Sequence, residues 1–579
     1  MRLSPSAHTD TFCRDRLPPM HQWPEFVFDL PELHYPERLN CAEELLEGAI
    51  RAHGPDRPCL LTGTDMWTYG DLARRSNRIA RVLTEDWGVV PGNRVLLRGP
   101  NNPWLVAAWF AVVKAGAVAV TTMPLLRARE IGELIEQTRP CLIITDHRFD
   151  ADLTALPGAP PRMVYGSDGP ADLIQRAALK DDRFEAVETA ADDVVILAPT
   201  SGTTGRAKAT MHFHRDVLAN ADTFARHILK PTADDVFTGT PPIGFTFGLG
   251  GLVVFPLRFG ASTLLLERAA PEQLADAVQR QRATVLFTAP TAYKAMLAAG
   301  KAAELKGLRR CVSAGEHLPA STWESFHRAT GLKIINGIGG TELLHIYLSA
   351  ADDDIRPGAT GRAVPGFRVT LLDDQGGPVA DNTPGRLAVK GPTGCRYLAD
   401  PRQTSYVQGG WNITGDTYVR DEHGYFWYQS RNDDMIISSG YNIAGQEVEQ
   451  ALLDHPDVIE TAVVAAPDPE RGSVVHAFVV LRPGITGDTD KAGELQTHVK
   501  RSIAPYKYPR TVEFVPELPK TPSGKIQRFR LRERTGDRAP AAGLSTGPAT
   551  AAGAPYPGPR GAAAPRAGGA RHKGEATGP

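Results

Sequence analysis

Cysteine is scarce and scattered. The six residues, Cys13, Cys41, Cys59, Cys141, Cys311 and Cys395, include no CxxC pair, which argues against a disulfide framework or a cysteine-based zinc site. Long apolar runs are missing as well. Leu105 to Val120 is interrupted by Lys114 and Gly116, and Val236 to Phe259 by several Gly and Pro, whereas a spanning helix needs ~20 mostly apolar residues. The opening MRLSPSAHTDTFCRDRLPP has no apolar centre of the kind a secretion signal requires. Neither sign of charge dominates: 64 Lys and Arg stand against 66 Asp and Glu, a formal net charge of −2. That balance removes the electrostatic reason to expect nucleic acid or an anionic membrane as partner. The GxxxxGK[ST] spacing is also absent, which rejects a kinase-type P-loop. The expectation is a reduced, cytoplasmic, globular protein.

With 579 residues, two to four domains are expected. Strand-like and helix-like segments alternate through the first part of the chain. Cys59 to Leu61, Arg94 to Leu97, Ala117 to Thr122 and Cys141 to Thr145 read as strands. Tyr69 to Leu83 reads as a helix with Leu72, Ile79 and Leu83 on one face and Thr68 as its cap, and Pro103 to Lys114 as another, stopping near Gly116. Such alternation implies parallel sheets covered by helices. From Asp434 the pattern restarts on a smaller scale, with Met435 to Ser438, Gln446 to Leu453, Glu460 to Ala466, Val474 to Leu481 and Leu495 to Ile503 as its elements. The expected division is 1–431 for a large domain, 434–535 for a small α+β domain, and 536–579 for an Ala/Gly/Pro-rich tail with too little apolar content to fold.

Four short segments carry chemistry. Thr200-Ser201-Gly202-Thr203-Thr204-Gly205-Arg206-Ala207-Lys208 follows the apolar strand Val194 to Leu197; its glycines permit close backbone approach and its hydroxyls donate to phosphate oxygens. Asn336-Gly337-Ile338-Gly339-Gly340-Thr341-Glu342 ends in a carboxylate within an apolar stretch, which calls for a partner such as magnesium. Thr414-Gly415-Asp416 precedes Arg431-Asn432-Asp433-Asp434, and Pro519-Lys520-Thr521-Pro522-Ser523-Gly524-Lys525 closes the series. Taken singly, these could be a surface turn, an acidic helix cap, ordinary turn and ion-pair residues, and a solvated lysine.

Their order is more telling than any one of them. A Ser/Thr/Gly loop, a Gly-rich turn ending Thr-Glu, then TGD, RNDD and SGK resembles the adenylate-forming superfamily of acyl-CoA synthetases, peptide-synthetase adenylation domains and luciferases, over roughly Leu39 to Arg532. The resemblance implies an α/β fold, with a large multi-sheet N-terminal AMP-binding domain and a small mobile α+β C-terminal lid domain. It implies a two-step reaction: ATP activates a carboxylate as its acyl-adenylate, then the thiol of CoA displaces AMP. Residue by residue, it implies that Thr200, Ser201, Gly202, Thr203, Thr204, Gly205 and Lys208 hold the outer phosphates. Thr341 would bind the α-phosphate, Gly340 beside it would belong to the ATP/AMP-binding set, and Glu342 would ligate Mg2+. Gly315 and Glu316 would lie beside adenine, and Asp416 and Arg431 would grip the ribose. Lys525 would bridge the carboxylate and the α-phosphate. Asp433 would be the hinge about which the small domain turns, bringing Ser439, Gly440 and Tyr441 to the CoA side. The sequence departs from the common pattern at Ala207, Ala209 and Ser430, and at Gly339, where many members carry an aromatic residue that stacks on adenine.

The stretch Pro241 to Gly250 aligns with the segment lining the acyl site. Several segments resemble the benzoate and 2-aminobenzoate CoA ligase branch: Gln22-Trp23-Pro24, Tyr35 to Asn40, Gly337 to Ile346 and Ser439 to Gly445. Phe245, Thr246, Phe247, Ala314, Ile338 and His345 are therefore expected around a small aromatic carboxylate, with Thr246 placed to meet an ortho amino group. His345 could equally be a core histidine. A carrier protein in place of CoA as acceptor, and a non-catalytic nucleotide-binding scaffold, are the competing expectations; the full charge set Lys208, Glu342, Asp416, Arg431 and Lys525 argues against the second.

Overall fold

The computed structural model describes residues 3–154, 156–200, 207–431, 435–519 and 526–536, without the side chains of Ser430 and Arg431. Residues 537–579 of the tail expected to be unfolded lie outside these residues, as does the hinge residue Asp433.

Local signals in the sequence translate directly into elements. Helix Tyr69–Arg81 opens on a capping box: the Thr68 side chain accepts from Asp71 N, and the Asp71 carboxylate accepts from Thr68 N. It does not end at Leu83 but widens into a π-type turn, Val82–Asp86. Helix Pro103–Lys114 begins where Asn102 accepts from Leu105 N, with Pro103 at its first position. Almost all of it is buried. Lys114, which interrupts the apolar run in the sequence, is itself inside, paired with Glu47 and donating to Asn77 Oδ1 at 2.7 Å. A buried ammonium persists because both partners are supplied.

Three sheets build the large domain. One runs Arg162–Tyr165, Leu142–Asp146, Arg94–Arg98, Val118–Thr122, Val194–Thr200 and Lys208–Phe213, parallel until the final antiparallel pair. The second has nine strands. Its central parallel part is Ile334–Gly339, Arg310–Ser313, Val285–Thr288, Val236–Gly239 and Ser262–Leu264. Helices Cys41–His53, Tyr69–Arg81 and Pro103–Lys114 contribute Leu45, Leu72, Ile79, Val106, Trp109 and Phe110 to one continuous core with these strands. The third sheet is antiparallel and carries Trp411–Arg420 beside Phe426–Arg431.

The smaller domain opens with the hairpin Met435–Ser438 and Tyr441–Ala444. Helix Gly445–Leu453, the long pair Val458–Asp468 and Gly472–Leu481, helix Thr489–Ser502 and the parallel strand Thr511–Phe514 follow. Ile436, Ile443, Val448, Leu452, Val463, Leu495 and Val499 form its own core. The chain is thus α/β with a large multi-sheet domain and a small α+β one. Among the described residues, no helix is long and apolar enough to cross a membrane.

Candidate active site

The strands Val194–Thr200 and Lys208–Phe213 pair so that Thr200 lies opposite Lys208. The loop they close, with Ser201, Gly202, Thr203, Thr204 and Gly205, lies outside the described residues. Lys208 is aimed at a specific partner set. Its Nζ donates to the Tyr397 hydroxyl at 2.7 Å and lies 3.7 Å from Glu342 Oε1, while the Tyr397 hydroxyl donates to that same oxygen at 2.6 Å. Tyr397 is buried, and desolvation pushes its phenol well above the ordinary range, so it stays a donor. Nothing local in the sequence marks Tyr397, which arrives from 55 residues beyond Glu342.

Glu342 sits in the short turn Thr341–Leu343 that follows strand Ile334–Gly339. The turn is held from outside: His212 Nε2 donates to the Thr341 carbonyl at 2.8 Å, and Thr393 Oγ1 to the Leu343 carbonyl at 2.8 Å. Leu344 then takes a positive φ of 71°, a strained conformation for a side-chain-bearing residue, and reverses the chain so that His345 points back into the large domain. Glu342 Oε2 faces Gly340, which lines a cavity shared by the two domains. Asp416, buried on its strand, is the direct cross-strand partner of Arg431, so the two residues expected at the ribose are neighbours by register.

The cavity beside Gly340 and Thr341 holds about 310 Å³. Its inner wall comes from Gly244, Phe245, Thr246, Phe247, Ala314 and His345. His345 is enclosed by the rings of Phe224, Phe247, Phe255 and Phe287, at centroid distances of 5.6, 5.5, 4.6 and 6.3 Å. Its Nε2 lies 3.3 Å from the Phe247 carbonyl, and burial pushes its pKa down to about 3. The imidazole is therefore neutral: a flat ring in an aromatic cluster that also faces the cavity. Gly250, in the π-type turn Gly250–Val254, permits this packing, because a Cβ there would stand 2.3 Å from His345 Cδ2. Ile338 is not among the lining residues. Strand alternation presents Gly339 to the cavity and packs Ile338 against the core. Gly339 has a structural reason too: a Cβ would fall 2.5 Å from the His345 carbonyl oxygen. An aromatic adenine platform at 339 cannot be accommodated without moving the neighbouring strand.

The small domain supplies the cavity's mouth. Ser439 and Gly440, with φ of 50° and 82°, make the two-residue turn of the hairpin, and this turn reaches the large domain. Gly440 lies beside Gly315, next to the half-buried Glu316. Burial pushes the Glu316 carboxyl up to about 7. Tyr441 stacks on Tyr506 at 4.2 Å and meets the edge of Phe245 at 6.3 Å. Tyr506 and Lys507 line the cavity and were not anticipated from the sequence; a Tyr-Lys-Tyr in a small-domain loop carries no local signal of where it docks. Lys525 lies outside the described residues.

Residues 46–397 match the AMP-binding enzyme family, and residues 447–525 match the AMP-binding enzyme C-terminal domain. The chain belongs to the AMP-binding enzyme family. This adenylate-forming enzyme is 34% identical over 513 residues to the benzoate–CoA ligase of Thauera aromatica, a match covering 87% of this chain and 97% of that one. Among solved structures, the anthranilate CoA ligase AuaEII in complex with anthranoyl-AMP is 32% identical with a TM-score of 0.69, covering 88% of this chain and 99% of that chain. The amide bond synthetase McbA from Marinactinospora thermotolerans is 27% identical with a TM-score of 0.77, covering 86% and 99%.

Proposed function

We propose that this AMP-binding enzyme activates a benzoate-type acid, 2-aminobenzoate being the best candidate, with ATP and transfers the acyl group to CoA. The observation that carries this reading is the aromatic wall that Phe245, Phe247 and neutral His345 give the cavity. A ring the size of a phenylalanine side chain gains roughly 1.5–3 kcal/mol on full burial, and offset or edge contacts with Phe247 and neutral His345 add to that. Thr246 lines the same wall and offers a hydroxyl to a ring substituent. The ligases named for benzoate and anthranilate among the relatives support the same substrate class.

In the first step a carboxylate oxygen attacks the α-phosphorus of ATP and pyrophosphate departs. Two anions must meet, and the protein's contribution is positioning with compensating positive charge. Thr341 faces the cavity and binds the α-phosphate in this reading, Lys208 and the loop after Thr200 bind the outer phosphates, and Asp416 with Arg431 hold the ribose. Lys525 neutralises the approaching carboxylate. Glu342 fits magnesium: it is a buried carboxylate with one oxygen held by Tyr397 and the other turned to Gly340 at the cavity wall, and Mg2+ commonly takes one or two carboxylates together with substrate phosphates. When bound, the ion screens phosphate charge. In the second step the CoA thiolate attacks the acyl carbon and AMP leaves. The small domain turns about Asp433 between the steps. Ser439, Gly440 and Tyr441 at the cavity's mouth support assigning this arrangement to the thiol step.

The test is pyrophosphate release with ATP and magnesium over benzoate, 2-aminobenzoate, hydroxybenzoates and cinnamates, with and without CoA, and products identified by mass. A CoA thioester of benzoate or 2-aminobenzoate is expected. Adenylate that accumulates with no thioester would remove CoA from the reading.

A further inference from the structure

A second buried ionic group stands at the domain junction, outside the residues assigned above. Lys507, from the small domain, is paired with Glu447 of the same domain and with Glu130 of the large one. All three are largely buried, with side-chain exposures of 6% for Lys507, 16% for Glu447 and 8% for Glu130. Glu130 lies in the first turn of helix Ala128–Thr138, where its Oε2 accepts from Arg127 N at 2.8 Å. The same oxygen accepts from Ala504 N of the small domain, also at 2.8 Å. One carboxylate thus caps its own helix, receives a backbone N–H from the other domain and meets a buried ammonium.

Position gives this group its importance. Lys507 is adjacent to Tyr506, Tyr506 stacks on Tyr441, and Tyr441 abuts Phe245 of the cavity's inner wall. Other polar contacts across the junction are weaker in kind. Arg129 and Asp454 pair at 2.7 Å but are 39% and 45% exposed, so solvent screens them. Burial, with the neighbouring Glu130 carboxylate adding to it and Lys507 opposing it, pushes the Glu447 carboxyl up to about 7, whereas Lys507, although desolvated, gains from both carboxylates and stays charged. Without Glu130, the buried ammonium would keep one carboxylate and Ala504 N–H would lose its acceptor.

We propose that Glu130 is a positioning residue for the thiol step: by clasping Lys507 and Ala504 it docks the small domain so that Tyr441 and Tyr506 form the mouth of the acyl cavity. This rests on the two-step reading above. Glu130 touches no reacting atom in that reading, and adenylation does not need this docking.

The test combines the separated half-reactions with hydrogen exchange on the full chain, comparing wild type, Glu130→Gln, Lys507→Met and the exposed-pair control Arg129→Ala. In Glu130→Gln, pyrophosphate release without CoA should stay within about twofold, while conversion of pre-formed adenylate to thioester falls about tenfold or more. Exchange at 439–441 should quicken, because the turn that packs beside Gly315 is released at a distance from the mutated site. Lys507→Met should behave alike and Arg129→Ala like wild type. Unchanged thioester formation in Glu130→Gln overturns the proposal. So does an equal fall in both steps with unchanged exchange, which marks a general folding defect. If wild type itself makes no thioester, the functional reading fails, and the clasp then stands or falls on whether exchange at 439–441 quickens in Glu130→Gln.

Discussion

The two ends of the cavity are built on different principles. The inner end is made by the large domain alone, from rings and close-packed glycines, and holds no charged side chain: Phe245, Phe247, His345 and Gly244 line it. The mouth is made by two domains and is held by charge, with Lys507, Glu130 and Glu447 around the stacked Tyr441 and Tyr506. A ring site that must recognise one shape benefits from a preformed, dry wall. A mouth that serves two successive reactions benefits from contacts that can be released, and ion pairs transferred to water lose little when they part, whereas separated apolar faces do not recover their burial.

The largest effect should come from the small domain's other contribution. Lys525→Ala should lower pyrophosphate release by about 10²- to 10³-fold, the range for removing one preorganised charge-stabilising donor. It should leave thioester formation from supplied adenylate near wild type, since the described arrangement places Tyr441 and Gly440 at the mouth. Equal loss in both steps would collapse the contrast between the two docking states.

The inner wall can be broken more subtly. In Gly250→Ala the new Cβ would stand 2.3 Å from His345 Cδ2, and overpacking of this kind costs about 1–3 kcal/mol. A lowered unfolding midpoint together with a raised KM for the acid, and an unchanged KM for CoA, would confine the damage to the inner end. A rise in the KM for CoA would show the two ends to be coupled.

Acid should act on three buried histidines, of which His345 belongs to that wall. His345, His212 and His214 are fully buried, and desolvation pushes each pKa from 6.5 down to about 3, with Arg396 adding to the effect at His212. Between those values the unfolded chain binds protons that the folded chain does not, so stability falls as pH drops from 6.5 toward 3. At pH 5 each imidazole accounts for about 2 kcal/mol of that loss. Unfolding midpoints measured from pH 7 to pH 5 should fall, and His345→Gln should flatten part of the slope. The smallest effect concerns selectivity. Thr246→Ala should shift the kcat/KM ratio of 2-aminobenzoate to benzoate by several-fold, the size of one hydrogen bond of about 1 kcal/mol; an unchanged ratio would remove Thr246 from ring recognition.

What the sequence revealed follows the same divide. Helix Pro103–Lys114 and strand Met435–Ser438 match their expected limits end for end, because Asn102, Pro103, Gly116 and the Ser439-Gly440 turn are local signals. The order of the short motifs was legible for the same reason. Tyr397, His212, Glu130 and Lys507 were not, because each acts on a residue more than fifty positions away and leaves no mark on its own neighbourhood. Ile338 illustrates a third case: it was expected in the cavity wall, but the facing of a strand is set by pairing with Ile346–Ser349, and that turned the neighbouring Gly339 toward the cavity instead. Gly339 likewise looked like a missing adenine platform and proves to be a steric requirement of that pairing.

The central claim is that the inner end selects a single aromatic ring. The most direct measurement is kcat/KM for CoA-thioester formation with 2-aminobenzoate, benzoate and a medium-chain fatty acid under one set of conditions. A preference for the ring acids of about 10²-fold or more, the scale set by roughly 3 kcal/mol of differential transition-state binding, is the expected result. A fatty acid used as well as, or better than, either ring acid would contradict the account.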